Sequence, residues 1–414
     1  MKKKRGLKLW HKVIIGMLLG IMVGAIFGEQ ASIMKPVGII FTNMLKMIVV
    51  PLIFFAVLYG ITSIDDANTF GRLGSKALII YSLTTIFAVN IGLVFANIFE
   101  PGIGVNIKLN HSDTIPALNT QVQTLSDVLL NIIPSNPIQA MASGNTLQVV
   151  VFAFFTGFAM ILAGEKARDA RNLVVSCTHV VFKMVELVIR ATPYGVFAIM
   201  SWIIGEYGFG LMFGLAKLVG VVLAALLLQY TLFGIMLIIF GRLNPIPFYK
   251  KMITIQTLAF ATSSSKATLA TAMQELQAKM GVSKRSASFI LPLGAAMNMD
   301  ATAIYLGVCT VFFAQMTGVD LTAHQYLIII IASTIGSIGA AGFPGGGIVM
   351  MSMVLSSVGL PLEGISLILG IDRILDMLRT TVNITGDCTV TIIVDKMEGS
   401  LDEKKYYKNH IADE

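Results

Sequence analysis

Hydrophobic positions in this chain fall into long runs separated by short polar turns. Run length and period predict membrane-spanning helices. Eight spans are predicted, at about residues 13–28, 37–60, 77–99, 146–163, 172–203, 209–240, 286–316 and 368–394. Lys2, Lys3, Lys4, Arg5, Lys8 and Lys12 lead into the first span. Arg72 and Lys76 follow the second, Lys166, Arg168 and Arg171 the fourth, and Arg242, Lys250 and Lys251 the sixth. The alternate segments are nearly free of Lys and Arg; from 100 to 145 the only one is Lys108. This bias puts the N-terminus in the cytoplasm and alternates the spans from there. No small-residue cleavage site follows the first run, so it reads as an uncleaved span rather than a signal peptide. Pro193 predicts a kink in the fifth span.

Two stretches break the pattern. Residues at about 252–283 are too polar to span and place Ser263, Ser264 and Ser265 between two short helical stretches. Lys279, Lys284 and Arg285 return the far end to the cytoplasm. This describes a re-entrant hairpin whose tip lines a cavity, with a cytoplasmic loop as the other reading. The second stretch, about 325–359, crowds Gly336, Gly339, Gly342, Gly345, Gly346 and Gly347 around Pro344. No strand precedes these glycines and no G-K-[ST] follows them, so they form neither a dinucleotide nor a phosphate loop. This hairpin enters from outside. Each hairpin precedes a span bearing amide and carboxylate residues, Asn298 and Asp300 in one, Asn383 and Asp387 in the other. Hairpins entering from opposite sides predict inverted repeats around a midplane site.

The last span is the most informative. Asp372, Asp376, Arg379, Asn383 and Asp387 share one helix face, within a stripe roughly 80° wide. A charge at the bilayer centre costs about 2.5–3.5 kcal/mol on insertion scales. The stripe therefore faces a wet cavity holding a small anionic or zwitterionic solute with cations, or else a buried ion-pair seam. Asn298 and Asp300 are two residues apart and would diverge by roughly 200° on a regular helix. For both to serve one site the helix must unwind at Asn298-Met299-Asp300, which also frees carbonyls for a hard cation such as Na⁺. Otherwise they are buried polar residues bonded to neighbouring helices.

Composition narrows the class. Of 414 residues, 55% are hydrophobic and only 13% charged, too apolar for an ordinary soluble protein. The net charge of +7 sits at the ends of apolar runs, so no nucleic-acid partner is implied. Cys177, Cys309 and Cys388 lie in apolar stretches as packing residues, and the five histidines have no zinc-ligand spacing. A channel would need a continuous pore, whereas these charges are mixed in sign and clustered at one depth. An enzyme would need a nucleophile and base, and no such set converges. A secondary symporter remains.

The runs SSSKATLA, LGAAMNMDATAIY, GFPGGG and DRILDMLRTTVNITGD, in that order, resemble the glutamate transporter family of dicarboxylate/amino acid:cation symporters, in the manner of its sodium-coupled aspartate branch. The resemblance covers nearly the whole chain to Lys396. It implies an all-α polytopic homotrimer of the cytoplasmic membrane, with eight transmembrane helices, two re-entrant helical hairpins and an elevator mechanism. Its scaffold would comprise 1–76 and 100–208, its transport domain 77–99 and 209–398, and a cytoplasmic tail 399–414. The substrate would be an acidic amino acid, L-aspartate or L-glutamate. The alternative is a C4-dicarboxylate or neutral amino acid, coupled to protons or sodium.

The resemblance also implies roles. Asp376 would bind the substrate amino group, and Arg379, helped by Thr302, its side-chain carboxylate. Asn383 would bind the α-carboxylate beside Thr380. Ser264, Ser265 and the Gly339, Ala340 and Gly342 backbone would enclose the ligand. Cation ligands would be Tyr81, Thr84, Thr85, Asn298, Asp300, Asn383 and Asp387, with carbonyls of Gly294, Ala296, Met299, Ser337, Ile338 and Ala340. Asp300, Asp376 and Asp387 stand against Arg379 alone, so more than one Na⁺ per cycle is expected. The chain departs from the family at Lys266, in place of Ser or Gly, and at Ala270, Ala296 and Ala301.

Overall fold

The computed structural model describes residues 9–62, 73–104, 133–144, 146–208, 210–339 and 346–408. The basic N-terminal cluster from Lys2 to Lys8 lies outside them, as do Arg72, Lys108, Ala340 and Gly342. Every regular element among the described residues is helical. In chain order these are α1 (Leu9–Phe27), α2 (Lys35–Thr62), α3 (Ser75–Phe99), the short α4 (Pro137–Ala142), α5 (Thr146–Ala163), α6 (Arg168–Tyr207) and α7 (Gly210–Ile239). There follow α8 (Pro245–Thr262), α9 (Ser265–Lys279), α10 (Lys284–Met297), α11 (Asp300–Thr317), α12 (Ala323–Gly339), α13 (Gly346–Ser357), α14 (Ile365–Met397) and α15 (Glu403–Tyr407). Lys12–Phe41, Ser75–Phe99, Phe213–Ile239 and Lys284–Thr317 are long and apolar enough to cross a bilayer. α14, the predicted eighth span, has 33 residues and a length of roughly 50 Å, but it carries too many charges to qualify by hydropathy.

Element boundaries differ from the sequence reading where caps override hydropathy. The first hairpin begins at Pro245 rather than near 252. Asn244 caps α8 by accepting a hydrogen bond from the Ile246 amide at 2.9 Å, and Pro245 sits in the first turn, where its missing N–H costs nothing. Lys250 and Lys251 are thus helical, not loop, residues. α6 is longer than predicted, and it turns by 42° between its segments to Val188 and from Arg190, one turn before Pro193. That is where a proline ring displaces the carbonyl four residues upstream.

Packing divides the helices into two sets. α1, α2, α5 and α6 pack chiefly on one another, as do α3 and α7 to α14; the sets meet where α1, α2, α5 and α6 touch α12, α13 and α14, and where α6 touches α7. α1 lies on α6 through a line of glycines. A Cβ on Gly16, Gly20 or Gly24 would sit 2.4, 2.5 and 2.6 Å from the carbonyl oxygens of Pro193, Phe197 and Ser201. Only hydrogen lets the backbones approach this closely, as in other small-residue membrane interfaces. Gly20→Leu is expected to force the helices apart at a cost of about 1–3 kcal/mol. Its thermal unfolding in detergent should fall well below that of the exposed substitution Leu19→Ala.

The C-terminal segment is tied to the base of the first hairpin. The Lys251 ammonium donates to the carbonyls of Lys279, Lys405 and Tyr406 at 2.8, 3.1 and 2.6 Å. The Tyr406 hydroxyl donates to the Asn244 carbonyl at 2.9 Å. Asp395, fully buried in α14, accepts from both the amide and the hydroxyl of Ser283, which caps α10.

Candidate functional site

The site forms where two helix breaks meet the polar stripe of α14. α10 ends at Met297 and α11 starts at Asp300; between them Asn298 is extended (φ −107°, ψ 102°) and Met299 has φ −129°, ψ 54°. The predicted unwinding is therefore present. Asn383 of α14 secures it: its Oδ1 accepts from the Ala301 amide at 2.8 Å, and its Nδ2 donates to Thr302 Oγ1 at 3.3 Å and approaches Met299 Sδ at 3.2 Å. An otherwise open helix N-terminus is thereby capped from another helix.

At the break, Asn298 Nδ2 donates to Asp387 Oδ1 at 3.0 Å. Asp300 Oδ1 accepts from Thr85 at 2.8 Å and Thr84 at 3.3 Å, both on α3. Its Oδ2 accepts from Gln229 Nε2 of α7 at 3.2 Å. Tyr81 donates to the Ile290 carbonyl at 3.2 Å. A Cβ on Gly294 would lie 2.5 Å from the Tyr81 hydroxyl and 2.7 Å from Asp387 Oδ1, so these groups converge on α10. Ala296, on the same helix, is half-buried. Asp300 and Asp387 are fully buried, and among the described residues no Lys or Arg nitrogen lies within 4.0 Å of either. Asn298 Oδ1, Asp387 Oδ2 and Gln229 Oε1 are buried acceptors with no hydrogen-bond donor among the described residues. Such groups are costly unless something positive reaches them.

The second half of the stripe is charge-paired. Arg379, 1% exposed, donates to Asp372 Oδ1 at 2.8 Å and Asp376 Oδ1 at 3.0 Å. The face of Tyr305 lies 3.8 Å beneath its guanidinium carbon. Its Nε has no acceptor. Arg373 approaches Asp376 Oδ2 at 3.5 Å. Thr380 donates back to the Asp376 carbonyl at 2.8 Å. Gly347, at the start of α13, is close enough that a Cβ there would meet an Arg379 terminal nitrogen at 2.9 Å. The second hairpin therefore roofs the guanidinium.

The first hairpin tip is tight: Ser263 adopts φ 51°, and Ser264 caps α9 by accepting from the Ala267 amide at 3.3 Å. Ser263 and Ser265 hydroxyls are buried without a partner among the described residues. Lys266, one residue on, lies over the rings of Tyr59 in α2 and Phe182 in α6, each 5.2 Å away. In the second hairpin, Ser337 is buried and donates to the Thr334 carbonyl at 2.8 Å, and α12 ends at Gly339. The expectation for Ala340 and Gly342 falls outside the described residues, as does the Ile338 side chain.

The structure thus brings Tyr81, Thr84, Thr85, Gly294, Asn298, Met299, Asp300, Thr302, Asn383 and Asp387 together, with Asp376, Arg379 and Thr380 in register along α14. Sequence reasoning missed Gln229, Tyr305 and Gly347. Gln229 carried one signal, a lone amide inside a mostly apolar span. Among the described residues no three His, Cys, Asp or Glu converge as in a dedicated metal centre. The donors here are hydroxyl, amide and carboxylate oxygens, which suit a hard monovalent cation in transit.

A helical membrane carrier for a charged solute is the class these features define. The chain belongs to the sodium:dicarboxylate symporter family, whose model matches residues 9–397. It is therefore a symporter and not an enzyme. It is 33% identical to the proton/sodium-glutamate symport protein of Bacillus caldotenax over 97% of both chains. It is 35% identical to the C4-dicarboxylate transport protein of Rhodospirillum rubrum, over 96% of this chain and 90% of that one. Its identity to the C4-dicarboxylate transport protein of Bacillus subtilis is 34%, over 95% and 94%.

Proposed function

We propose that this protein imports an acidic amino acid, L-aspartate or L-glutamate, together with more than one Na⁺. The observation that carries the cation is the pair of buried carboxylates, Asp300 and Asp387, without a basic partner. A proton would neutralise one carboxylate, whereas a cation can be shared by several of the unpartnered oxygens at once. Arg379 supplies a planar fork for a carboxylate, and Asp376, one turn before it, an anion for an ammonium group. In this structure the two satisfy each other, so substrate would replace an internal ion pair with two external ones.

A second reading rests on Arg373. Its approach to Asp376 gives that carboxylate two arginine partners, which favours a solute without an ammonium group, such as a C4-dicarboxylate. Competition of labelled aspartate uptake by glutamate, succinate and a neutral amino acid separates these readings. Preferential displacement by succinate would favour the second.

We place the protein in the cytoplasmic membrane as a homotrimer with both termini inside. Exposed Leu18, Leu19 and Ile26 on α1 and Phe155 and Leu162 on α5 suit a lipid or subunit covering. α1, α2, α5 and α6 would be the fixed scaffold. α3 and α7 to α14 would slide as the transport unit, in keeping with the two packing sets. Carrying an anion into a negative-inside cell is uphill by about 2.3 kcal/mol per charge per 100 mV, so excess Na⁺ must enter with it. In sodium medium, a potassium-valinomycin potential, inside negative, should accelerate uptake into proteoliposomes. Voltage-independent uptake, or uptake driven by a proton gradient without sodium, would overturn this reading.

A further inference from the structure

Among the described residues, Gln229 is the one side chain of α7 that hydrogen-bonds to either of the carboxylates Asp300 and Asp387. It is 2% exposed and is the sole carboxamide of a mostly apolar helix. Burying a primary amide there is unfavourable unless both its ends are used. One end is used, since Nε2 donates to Asp300 Oδ2 at 3.2 Å. The other, Oε1, has no donor among the described residues. The adjoining positions do not supply one: Leu226, Leu227 and Leu228 are apolar, and Tyr230 receives the amide of Gln256 and lies against Tyr249.

The unpartnered oxygen is not alone. Asn298 Oδ1 and Asp387 Oδ2 share the same condition, on the helix break and on α14. All three are acceptors, and Asp300 and Asp387 are carboxylates with no Lys or Arg partner among the described residues. Three orphaned oxygens beside two such carboxylates suit a cation.

We infer that Gln229 is a further cation-site residue, which holds Asp300 in place through its amide nitrogen and offers its amide oxygen to the monovalent cation bound there. This deepens the sodium-coupled reading and rests on it. The ligand adds an oxygen without adding charge, which favours a singly charged ion over a divalent one. It also brings a seventh-helix contact to a site otherwise built from α3, the α10–α11 break and α14, so cation binding would draw α7 against them.

The test compares Gln229→Met and Gln229→Glu with the native protein, purified in detergent, by equilibrium binding of radioactive sodium and by the sodium-dependent rise in unfolding temperature. Methionine fills the same volume without donor or acceptor and should weaken sodium binding about tenfold or more. Glutamate keeps the oxygen and loses the donor, so sodium binding should be retained or strengthened. If the amide serves only to pin Asp300, the opposite order is expected, because glutamate then sets two carboxylates against each other. Equal sodium binding in Gln229→Met and the native protein, or weaker binding in Gln229→Glu than in Gln229→Met, overturns the assignment of Gln229 alone. Absence of sodium binding in the native protein overturns the cation site itself, and the inference with it.

Discussion

Replacing Arg379 with cysteine is expected to abolish saturable uptake of the proposed acidic amino-acid substrate. The guanidinium is sealed from water, stacked on Tyr305 and bonded to Asp372 and Asp376. Its Nε has no acceptor among the described residues. Without it, a substrate side-chain carboxylate enters a dry site that already holds two aspartates. Truncating one member of a buried charge pair costs about 2–5 kcal/mol, or roughly thirty- to several-thousand-fold in affinity. Labelled aspartate uptake and binding should both vanish while sodium binding persists, which separates loss of the substrate site from loss of fold. Undiminished aspartate affinity in this variant would remove Arg379 from the substrate site.

Asp387→Asn should produce the second large effect, on the cation. The amide keeps one oxygen and nearly the same shape, so Asn298 retains a partner and the protein inserts normally. What disappears is one of two negative charges in a fully buried cluster. Half-saturating sodium for uptake is expected to rise about tenfold or more, equivalent to about 1.4 kcal/mol. A wild-type sodium dependence would make Asp387 a structural residue that serves only to orient Asn298.

Much of this was legible in the chain because a bilayer makes polarity expensive. Five polar residues on one face of an apolar helix had to be buried together, and they are, from Asp372 to Asp387. The helix break at Asn298 followed from two polar side chains two residues apart that otherwise point away from each other. The partners were not legible. Whether Asp372 or a substrate takes Arg379 depends on a 2.8 Å approach about two helix turns away, which no spacing rule resolves. Gln229 was passed over because a single amide in an apolar span gives no pattern, and its meaning appears only when α7 meets Asp300. The start of the first hairpin was misplaced because Lys250 and Lys251 resemble a loop. The Lys251 ammonium in fact finds three carbonyls at the cytoplasmic base.

Lys266 sets a mechanical condition on the proposed sliding motion. Its ammonium belongs to the first hairpin, whereas Tyr59 and Phe182 belong to the helices proposed to stay fixed. Every displacement of the carrier would pull this cation out of an aromatic cradle, and each ring is worth about 0.5–2 kcal/mol to it. The pair acts as a detent, a catch that holds one resting position without locking it. Its strength belongs to the frequency of crossings rather than to what is bound. A chain with serine or glycine there would idle more freely between its two ends.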